Sequence, residues 1–324
     1  MITNTRLKII EYIEIHHQAR VYDLARMLNI TRASVHRQLK KLIDEGELEK
    51  IGKPPRVYYV VASKKITKPE LVDSILLRTI NARYLYISPT GEAKVGWEGF
   101  LAWCEKTKQD PIKTANEYLS TLNKFDKFKK NDLINGMPKM KNTFKDVFLD
   151  KLYYLDFYSI ERFGKTKLGQ MLLYAKQSQN TNLINQLIIQ IRPKIIKIIE
   201  ENMIDGILFV PPTVKREIQF MKELEKQLAL PIRTLSVTKI KTEIAVPQKT
   251  LSKLEDRIEN AKRTIIVEDK KEYKNVLLID DAVGSGATMN ETAKQIKNIN
   301  LVSGEIIGLA ITGSFKGFDV ISEV

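Results

Sequence analysis

The sequence predicts an α/β protein in which a small domain of three helices and a hairpin precedes a parallel sheet with flanking helices. Short apolar-periodic segments followed by two β-rich segments open the chain. Near its other end, a buried strand is predicted to pass through a small-residue loop directly into a helix. The length of 324 residues favours about two domains, because single cores stop growing near ~250–300 residues.

The composition narrows the classes of partner. The chain has 53 Lys and Arg against 39 Asp and Glu, a net charge of +14, which favours a polyanionic partner. Cys104 is the one cysteine, so an internal disulfide and a cysteine-based zinc site are excluded. Every long apolar segment is interrupted by charged residues, which argues against a membrane span. We therefore expect a soluble, cytoplasmic protein that does not enter a membrane.

The first predicted element is a helix-turn-helix. Helices are predicted at residues 4–16, 21–28 and 32–44. In the first helix, Leu7, Ile10 and Ile13 are expected on the apolar face. Thr31 follows a turn, and its side chain can cap the third helix.

The third helix has the polarity that a groove-binding helix needs. Val35, Leu39 and Leu42 form its apolar stripe, which leaves Arg37 and Lys40 on the opposite side. A helix that enters a major groove presents small and cationic residues to bases and phosphates in this way.

A hairpin after the third helix resembles the wing of a winged helix. Its predicted strands, residues 48–51 and 57–61, enclose a Gly- and Pro-rich turn with basic residues at the tip. Such a tip suits phosphate or minor-groove contacts, so we expect double-stranded DNA as a partner. The predicted DNA-binding residues are Arg32, Ser34, Arg37, Lys40, Lys41, Lys53 and Arg56.

Three domains are predicted, with residues 1–63 as the winged helix, 64–142 as a helical linker and small α+β segment of unknown role, and 143–324 as the sheet domain. A helix at about 68–83 follows the wing, where helices often pair two protomers, so we expect a homodimer. Aromatic residues at helical spacing, among them Phe100 and Tyr118, are expected to form core. A linker is expected near residues 131–142.

The sheet domain is predicted from alternating helices and buried strands. Helices are expected at residues 157–176 and 182–201, and strands at 205–210, 265–267, 276–279 and 306–311. Alternation of this kind predicts a parallel sheet whose ligand lies beyond the carboxyl ends of the strands.

The stretch Val276–Met289 is the most informative part of the chain. A buried strand ends at Asp280 and Asp281, and a small-residue loop then leads into a helix. Unencumbered N–H groups at a helix N-terminus favour a phosphate, while two carboxylates favour hydroxyl groups or a divalent cation on the same ligand. A ribose 5-phosphate offers both.

This stretch resembles the phosphoribosyl pyrophosphate (PRPP) loop of type I phosphoribosyltransferases. The resemblance implies that Asp280 and Asp281 hold the ribose hydroxyls and contact Mg²⁺ only indirectly, through the ribose-bound ion. It implies Mg²⁺ as the cofactor that accompanies PRPP. The implied phosphate loop consists of Gly284, Ser285, Gly286, Ala287 and Thr288.

Two further stretches are similar to the ComF-like branch of these enzymes. The first is a strand that ends in Val-Pro and is followed by Lys215 and Arg216, which the resemblance would place on the pyrophosphate side. The second runs from Gln248 to Asn260 and belongs to an expected mobile flap, in which Arg257 and Asn260 are the candidate ordering residues. In place of the Arg-Gly-Phe-Asn-Gln pattern of that branch, residues 217–221 read Glu-Ile-Gln-Phe-Met.

A winged helix joined to a phosphoribosyltransferase-type domain resembles the purine-operon repressors. The resemblance implies a DNA-binding transcription regulator that binds PRPP or a nucleotide as effector. Two alternatives stay open. One is an active phosphoribosyltransferase that transfers phosphoribosyl to a nucleobase or related acceptor, with the winged helix as a regulatory or dimerisation module. The other is an adaptor in DNA uptake or repair. No catalytic residue can be identified from the sequence.

Overall fold

The computed structural model of the chain describes residues 4–62, 73–212, 216–240, 243–244 and 246–314. The residues group into two compact units, Met1–Leu71 and Val72–Val324. Within the described ranges, none of the helices combines the length and the apolar character needed to cross a membrane. The α/β class is confirmed, because helices and a mostly parallel sheet make up the second unit.

The first unit contains three helices and an antiparallel hairpin: α1 (Asn4–His16), α2 (Val21–Leu28), α3 (Arg32–Asp44), β1 (Leu48–Lys53) and β2 (Arg56–Val61). The helices have the predicted bounds, and both strands extend closer to the tip than predicted. On α1, Ile9 and Ile13 are fully buried, whereas Leu7 is 47 % exposed. The prediction that Leu7 faces the core was wrong. The residues of α1 that meet α3 and the hairpin are Ile9 and Ile13, which lie four positions apart on one face of the helix.

The second unit begins with a small helical region: α4 (Ser74–Arg83), β3 (Leu85–Ile87), β4 (Ala93–Val95), α5 (Gly96–Thr107) and α6 (Pro111–Asp126). Its core is aromatic, as predicted. Phe100 and Tyr118 are buried, and both rings pack edge-on against Tyr84, with centroids 5.1 and 5.4 Å away.

The sheet region follows: β5 (Lys129–Lys130), β6 (Leu133–Asn135), α7 (Met137–Thr143), β7 (Lys151–Phe157), α8 (Lys167–Ser178), α9 (Thr181–Glu201), β8 (Gly206–Phe209), α10 (Phe220–Leu228), β9 (Arg233–Thr234), β10 (Val237–Lys239), α11 (Leu254–Thr264), β11 (Ile265–Val267), β12 (Val276–Val283), α12 (Ala287–Asn298) and β13 (Ile306–Gly313). Seven strands form one sheet in the order β5-β6-β7-β13-β12-β8-β9. In this order, the five strands β7, β13, β12, β8 and β9 are parallel to one another. Strand β6 of the β5–β6 hairpin pairs with β7 in antiparallel orientation.

Both faces of this sheet are covered by helices. On β13, Ile306 and Ala310 belong to one core cluster, whereas Ile307 and Leu309 belong to the other, as the alternation of side chains along a strand requires. Buried residues of α12 join the first cluster, and those of α8, α9 and α10 join the second. A parallel sheet covered in this way leaves the carboxyl ends of its strands as the open edge for a ligand.

Three predictions about individual elements were wrong. The expected linker at 131–142 is instead the turn of the β5–β6 hairpin, strand β6 and helix α7. Asn131 and Asp132 form this turn with φ of +53° and +64°, the left-handed pair that a two-residue hairpin loop needs.

The expected helix at 157–176 begins only at Lys167, because Phe157 ends the buried strand β7, which pairs with β13. The strand at 265–267 exists, but it pairs with β10 outside the main sheet.

Candidate functional site

The exposed side of α3 carries the cations predicted to contact DNA. Val35, Leu39 and Leu42 are buried in the core of the first unit. Arg37 and Lys40 lie exposed on the other side of the helix, as the 3.6-residue period predicts. The remaining predicted cations of this helix, Arg32 and Lys41, are exposed as well. The helix therefore presents one apolar and one cationic side.

Thr31 fixes the N-terminus of α3, which confirms the predicted cap. Its Oγ1 accepts a hydrogen bond from the Ser34 N–H at 3.2 Å. The Ser34 hydroxyl lies 2.9 Å from the same Oγ1 and accepts a bond from Arg37 Nη2 at 3.4 Å. Ser34 is thus part of the cap, and its contact with DNA stays a prediction.

The wing places two cations side by side. Lys53 and Arg56 are directly opposite each other at the end of the β1–β2 ladder, and both are exposed. The preceding Gly52 has φ +82°, and a Cβ there would lie 2.3 Å from the carbonyl oxygen of Arg56. Only glycine permits this close approach, so the tight turn brings the two cations together.

Arg20 supports the wing in a way that the sequence analysis missed. Its guanidinium carbon lies 4.5 Å from the centroid of the Tyr58 ring, and it also donates to the Tyr58 hydroxyl. Arg20 caps the start of α2, whereas Tyr58 belongs to β2. No local pattern links residues so far apart in the sequence, so only the tertiary fold reveals this contact.

In the second unit, the end of β12 lines a pocket of about 230 Å³. The strand runs to Val283, so Asp280 and Asp281 lie within it rather than after it, which corrects the predicted strand end at Ile279. Its pairing with β8 stops where Ile279 faces Phe209, whereas its pairing with β13 continues. Beyond Ile279, the strand that pairs with β12 in the described part of the chain is β13 alone, and the residues of β12 from Asp280 onward line the pocket.

The five predicted phosphate-loop residues all line this pocket. Gly286 is the N-cap of α12 and has φ +88°, and the Ser285 hydroxyl accepts a hydrogen bond from the Ala287 N–H at 3.3 Å. A Cβ on Gly286 would lie 2.4 Å from Met140 Sδ, so this glycine is required by packing as well as by its backbone angle. Gly284 faces the pocket instead, and its nearest heavy atom would be Arg257 Nη1 at 3.7 Å.

Arg257 is a buried cation beside the loop. Arg257 as a whole residue is 4 % exposed, and its Nε donates to the carbonyl oxygen of Leu251 at 2.7 Å. Its Nη2 has no hydrogen-bond partner within the described ranges, and burial lowers the pKa of the guanidinium. A buried, unpaired cation is costly. An anion bound on the adjacent loop would provide the missing partner.

Gln248 and Asn260, which bound the ComF-like stretch, are in contact in the structure. Gln248 Nε2 donates to the carbonyl oxygen of Arg257 at 3.0 Å and to Asn260 Oδ1 at 3.1 Å. Gln248 and Arg257 line the pocket, whereas Asn260 is not among its lining residues. The amide of Asn260 is placed to hold Gln248 and, through it, the backbone of Arg257. Closure of this segment as a flap stays a prediction.

The two carboxylates are embedded among cations that the sequence analysis did not identify. Lys176, near the end of α8, forms an ion pair with Asp281 through side chains that are 17 % and 16 % exposed. Lys239 lies near Asp280, and burial lowers the Lys239 pKa to about 8. For Asp280, burial and the neighbouring Asp281 charge raise the pKa well above its ordinary value, although both lysines oppose the shift.

Arg216 lines the same pocket and donates from Nη1 to the carbonyl oxygen of Lys176. Its neighbour Lys215, the other candidate for the pyrophosphate side, lies outside the described residues. A pyrophosphate contact by Arg216 stays a prediction. The structure nevertheless brings Arg216, Asp280 and Arg257 to one pocket from positions far apart in the sequence.

Comparison with protein families bears on the first unit. Residues 3–50 match the family model described as "Bacterial regulatory protein, arsR family". The match indicates the DNA-binding helix-turn-helix of a transcription regulator, and it covers α1 to α3 and the start of β1. It does not reach the second unit, whose mixed sheet is compatible with a phosphoribosyltransferase fold. None of the curated proteins compared with the chain matches it.

Within the described part of the chain, no group of three His, Cys, Asp or Glu side chains is arranged to hold a metal ion. The Asp281 carboxylate is paired with Lys176. The predicted indirect contact of the two carboxylates with Mg²⁺, through the ribose, stays a prediction.

A larger cleft of about 810 Å³ lies elsewhere in the second unit. None of the predicted site residues lines it. Two of its carboxylates are paired: Asp126 accepts from Arg83 at 2.8 Å, and Asp156 from Lys129 at 2.8 Å. The smaller pocket is the better candidate, because it combines a buried unpaired cation with a helix N-terminus and two carboxylates.

Proposed function

We propose that the protein is a transcription regulator that binds DNA through its winged helix and PRPP or a nucleotide through the pocket of its second unit. The observation that carries the second part is Arg257. It is a buried guanidinium beside a loop that ends at a helix N-terminus, and among the described residues its Nη2 has no hydrogen-bond partner. A phosphate suits both groups, since its oxygen atoms accept hydrogen bonds from an arginine and from N–H groups of a first helical turn.

The remaining groups of the pocket distinguish a sugar phosphate from a bare phosphate. Asp280 and Asp281 are acceptors, which suits the two ribose hydroxyls as donors. Arg216 lines the same pocket, and the family resemblance assigns it to the pyrophosphate. The pocket thus offers a partner for each polar part of PRPP, and for the ribose and phosphate of a nucleotide.

A ligand regulates DNA binding only if it binds the DNA-competent and DNA-incompetent states with different affinity. Linkage then requires that DNA change the affinity for PRPP by the factor by which PRPP changes the affinity for DNA. Such coupling typically amounts to ~1–3 kcal/mol. This reciprocity separates a sensor from a protein that carries the two activities independently.

The test is to measure binding of a selected operator by fluorescence anisotropy, with and without saturating PRPP and magnesium. Wild-type protein should show two different operator affinities. Gly284→Val should retain DNA binding and lose the response, since Gly284 faces the pocket and its nearest neighbour is Arg257. Lys53→Ala with Arg56→Ala is the reciprocal control, which should weaken DNA binding and leave PRPP binding intact.

The competing function is an active phosphoribosyltransferase. Incubation with labelled PRPP and each nucleobase distinguishes the two, because transfer releases pyrophosphate. The enzyme function is favoured over the sensor function by two results together. Operator affinity is equal with and without PRPP, and pyrophosphate is released steadily when a nucleobase is added.

A further inference from the structure

The pocket has more cations than its two carboxylates require. Its described lining includes four positively charged side chains, Lys176, Arg216, Lys239 and Arg257, against Asp280 and Asp281. Two acidic residues beside a phosphate site would repel an anionic ligand unless something neutralises them. In sites for phosphorylated ligands a divalent cation often does this.

Lys176 already neutralises one of the acids. Its ammonium forms an ion pair with Asp281, and both side chains are largely withdrawn from solvent. The backbone at Lys176 is held by Arg216, which donates to its carbonyl oxygen. An ammonium group has three N–H donors, so one bond to Asp281 leaves donors for oxygen atoms of a ligand.

Lys239 is the second ammonium group of the pocket. It is half-buried at the end of β10 and lines the pocket together with Asp280. Lys176 belongs to the last turn of α8, whereas Lys239 ends a strand outside the main sheet. Together they bring two ammonium groups to the pocket, which carry the same total charge as one divalent ion.

We propose that Lys176 and Lys239 bind the phosphorylated ligand directly and replace a divalent cation, so that the pocket binds PRPP without magnesium. This inference rests on the proposed function, and it assigns to two lysines the neutralising role that the family resemblance gives to Mg²⁺.

The experiment is calorimetric titration of the full-length protein with PRPP, in excess magnesium and again in excess EDTA. Wild-type affinity should agree within about threefold between the two conditions. In EDTA, Lys176→Met and Lys239→Met should each weaken binding by about tenfold or more, because each removes a charge-assisted donor. Magnesium should restore part of that loss, and Lys176→Arg should keep most of the affinity.

Lys151→Met is the matched control. Lys151 also forms an ion pair, with Glu305 at 2.7 Å, but it begins β7 and so lies at the opposite end of the sheet. Its replacement should leave PRPP affinity unchanged in both conditions. Thermal unfolding verifies that each variant is folded. The comparison of wild-type PRPP affinity in magnesium and in EDTA does not depend on any variant.

The inference and the proposed function fail in different ways. Binding of PRPP in magnesium that disappears in EDTA overturns the inference and leaves the proposed function standing. The inference is also overturned if both lysine variants bind PRPP in EDTA with the affinity of the wild type. If PRPP binds in neither condition, PRPP is excluded as the effector of the proposed function, and pyrophosphate in EDTA then serves as the probe. Pyrophosphate binding that the lysine variants weaken supports the inference, and no binding or unchanged binding overturns it.

Discussion

The two candidate sites place their charges in opposite environments. The winged helix exposes its cations to solvent on α3 and on the wing tip, all within residues 32–56. The pocket of the second unit withdraws its charges from water and collects them from positions between Lys176 on α8 and Asp281 on β12. One site is a continuous surface, whereas the other exists only after distant segments have met.

This difference determines how each site responds to substitution. Exposed charges are screened beyond about 8–10 Å at physiological ionic strength, so single cations contribute little and their effect depends on salt. Charges inside a pocket are screened much less, and removing one leaves its partner without compensation. Substitutions in the pocket should therefore have the larger effects.

The largest effect is expected when both pocket carboxylates are neutralised. Asp280→Asn with Asp281→Asn should weaken PRPP binding by well over about tenfold, because the hydrogen bonds to the charged Asp281 contribute about 1.5–3 kcal/mol each and the hydrogen bond to Asp280 is altered as well. Titration calorimetry measures the loss. Asp132→Asn, at an exposed turn, is the control and should bind normally. Unchanged affinity in the double variant would contradict the assignment of the ribose site.

The Asp280 carboxyl should also make stability depend on pH. Its pKa in the folded state is raised above the ordinary value of 3.8, so over the pH range above 3.8 the folded protein holds this proton when the unfolded chain has lost it. The free energy of unfolding should therefore decrease as pH rises through this window, by at most about 1.4 kcal/mol per pH unit. Denaturant unfolding at about pH 5 and about pH 7 measures the slope. The free energy of unfolding of Asp280→Asn should depend less on pH than that of wild type. An equal slope in the two proteins would exclude the Asp280 carboxyl as the origin of the pH dependence.

Two glycines of the same loop should differ in their effect on folding. Gly286→Ala should cost about 2–3 kcal/mol, since the new Cβ meets Met140 and the positive φ disfavours any other residue. Gly284→Ala should change stability by less than about 0.5 kcal/mol, because its Cβ would be in ordinary contact with Arg257 alone. Chemical denaturation compares them. Equal losses would mean that both glycines serve the fold and that neither is free to serve the ligand.

On the winged helix, Arg37→Ala should cost about 1–3 kcal/mol on the preferred DNA sequence and relax the preference at one position, if its exposed guanidinium reaches a base. Competition binding with a set of single-base operator variants measures this. A uniform loss on every sequence would instead assign Arg37 to a phosphate.

The smallest effects are expected at the wing tip. Lys53→Ala and Arg56→Ala should each weaken binding by less than about 1 kcal/mol at physiological salt, equally for all sequences, and each should reduce the salt dependence. Anisotropy titrations over a range of salt concentrations measure both quantities. Wild-type affinity at every salt concentration in both variants would remove the wing from the DNA interface.

The winged helix could be predicted almost completely from the sequence, because its determinants are local. The apolar stripe of Val35, Leu39 and Leu42 follows from the helical period, and that stripe also decides that Arg37 is exposed. The cap at Thr31 depends on a residue three positions away. The one error, at Leu7, concerned which neighbouring position on α1 meets the rest of the unit.

In the second unit, the sequence by itself determined the order of strand, loop and helix in residues 276–298, since an apolar run followed by small residues specifies that order locally. The tertiary structure decided that β12 continues to Val283 beside β13 and that Phe157 ends a strand, because both strands are stabilised by pairing with β13. It likewise decided that Lys176 neutralises Asp281 and that Arg257 is buried with an Nη2 that has no partner among the described residues. The physical reason is the same in each case: burial, pairing and electrostatic environment depend on which distant segments pack together, and no local period of the sequence encodes that.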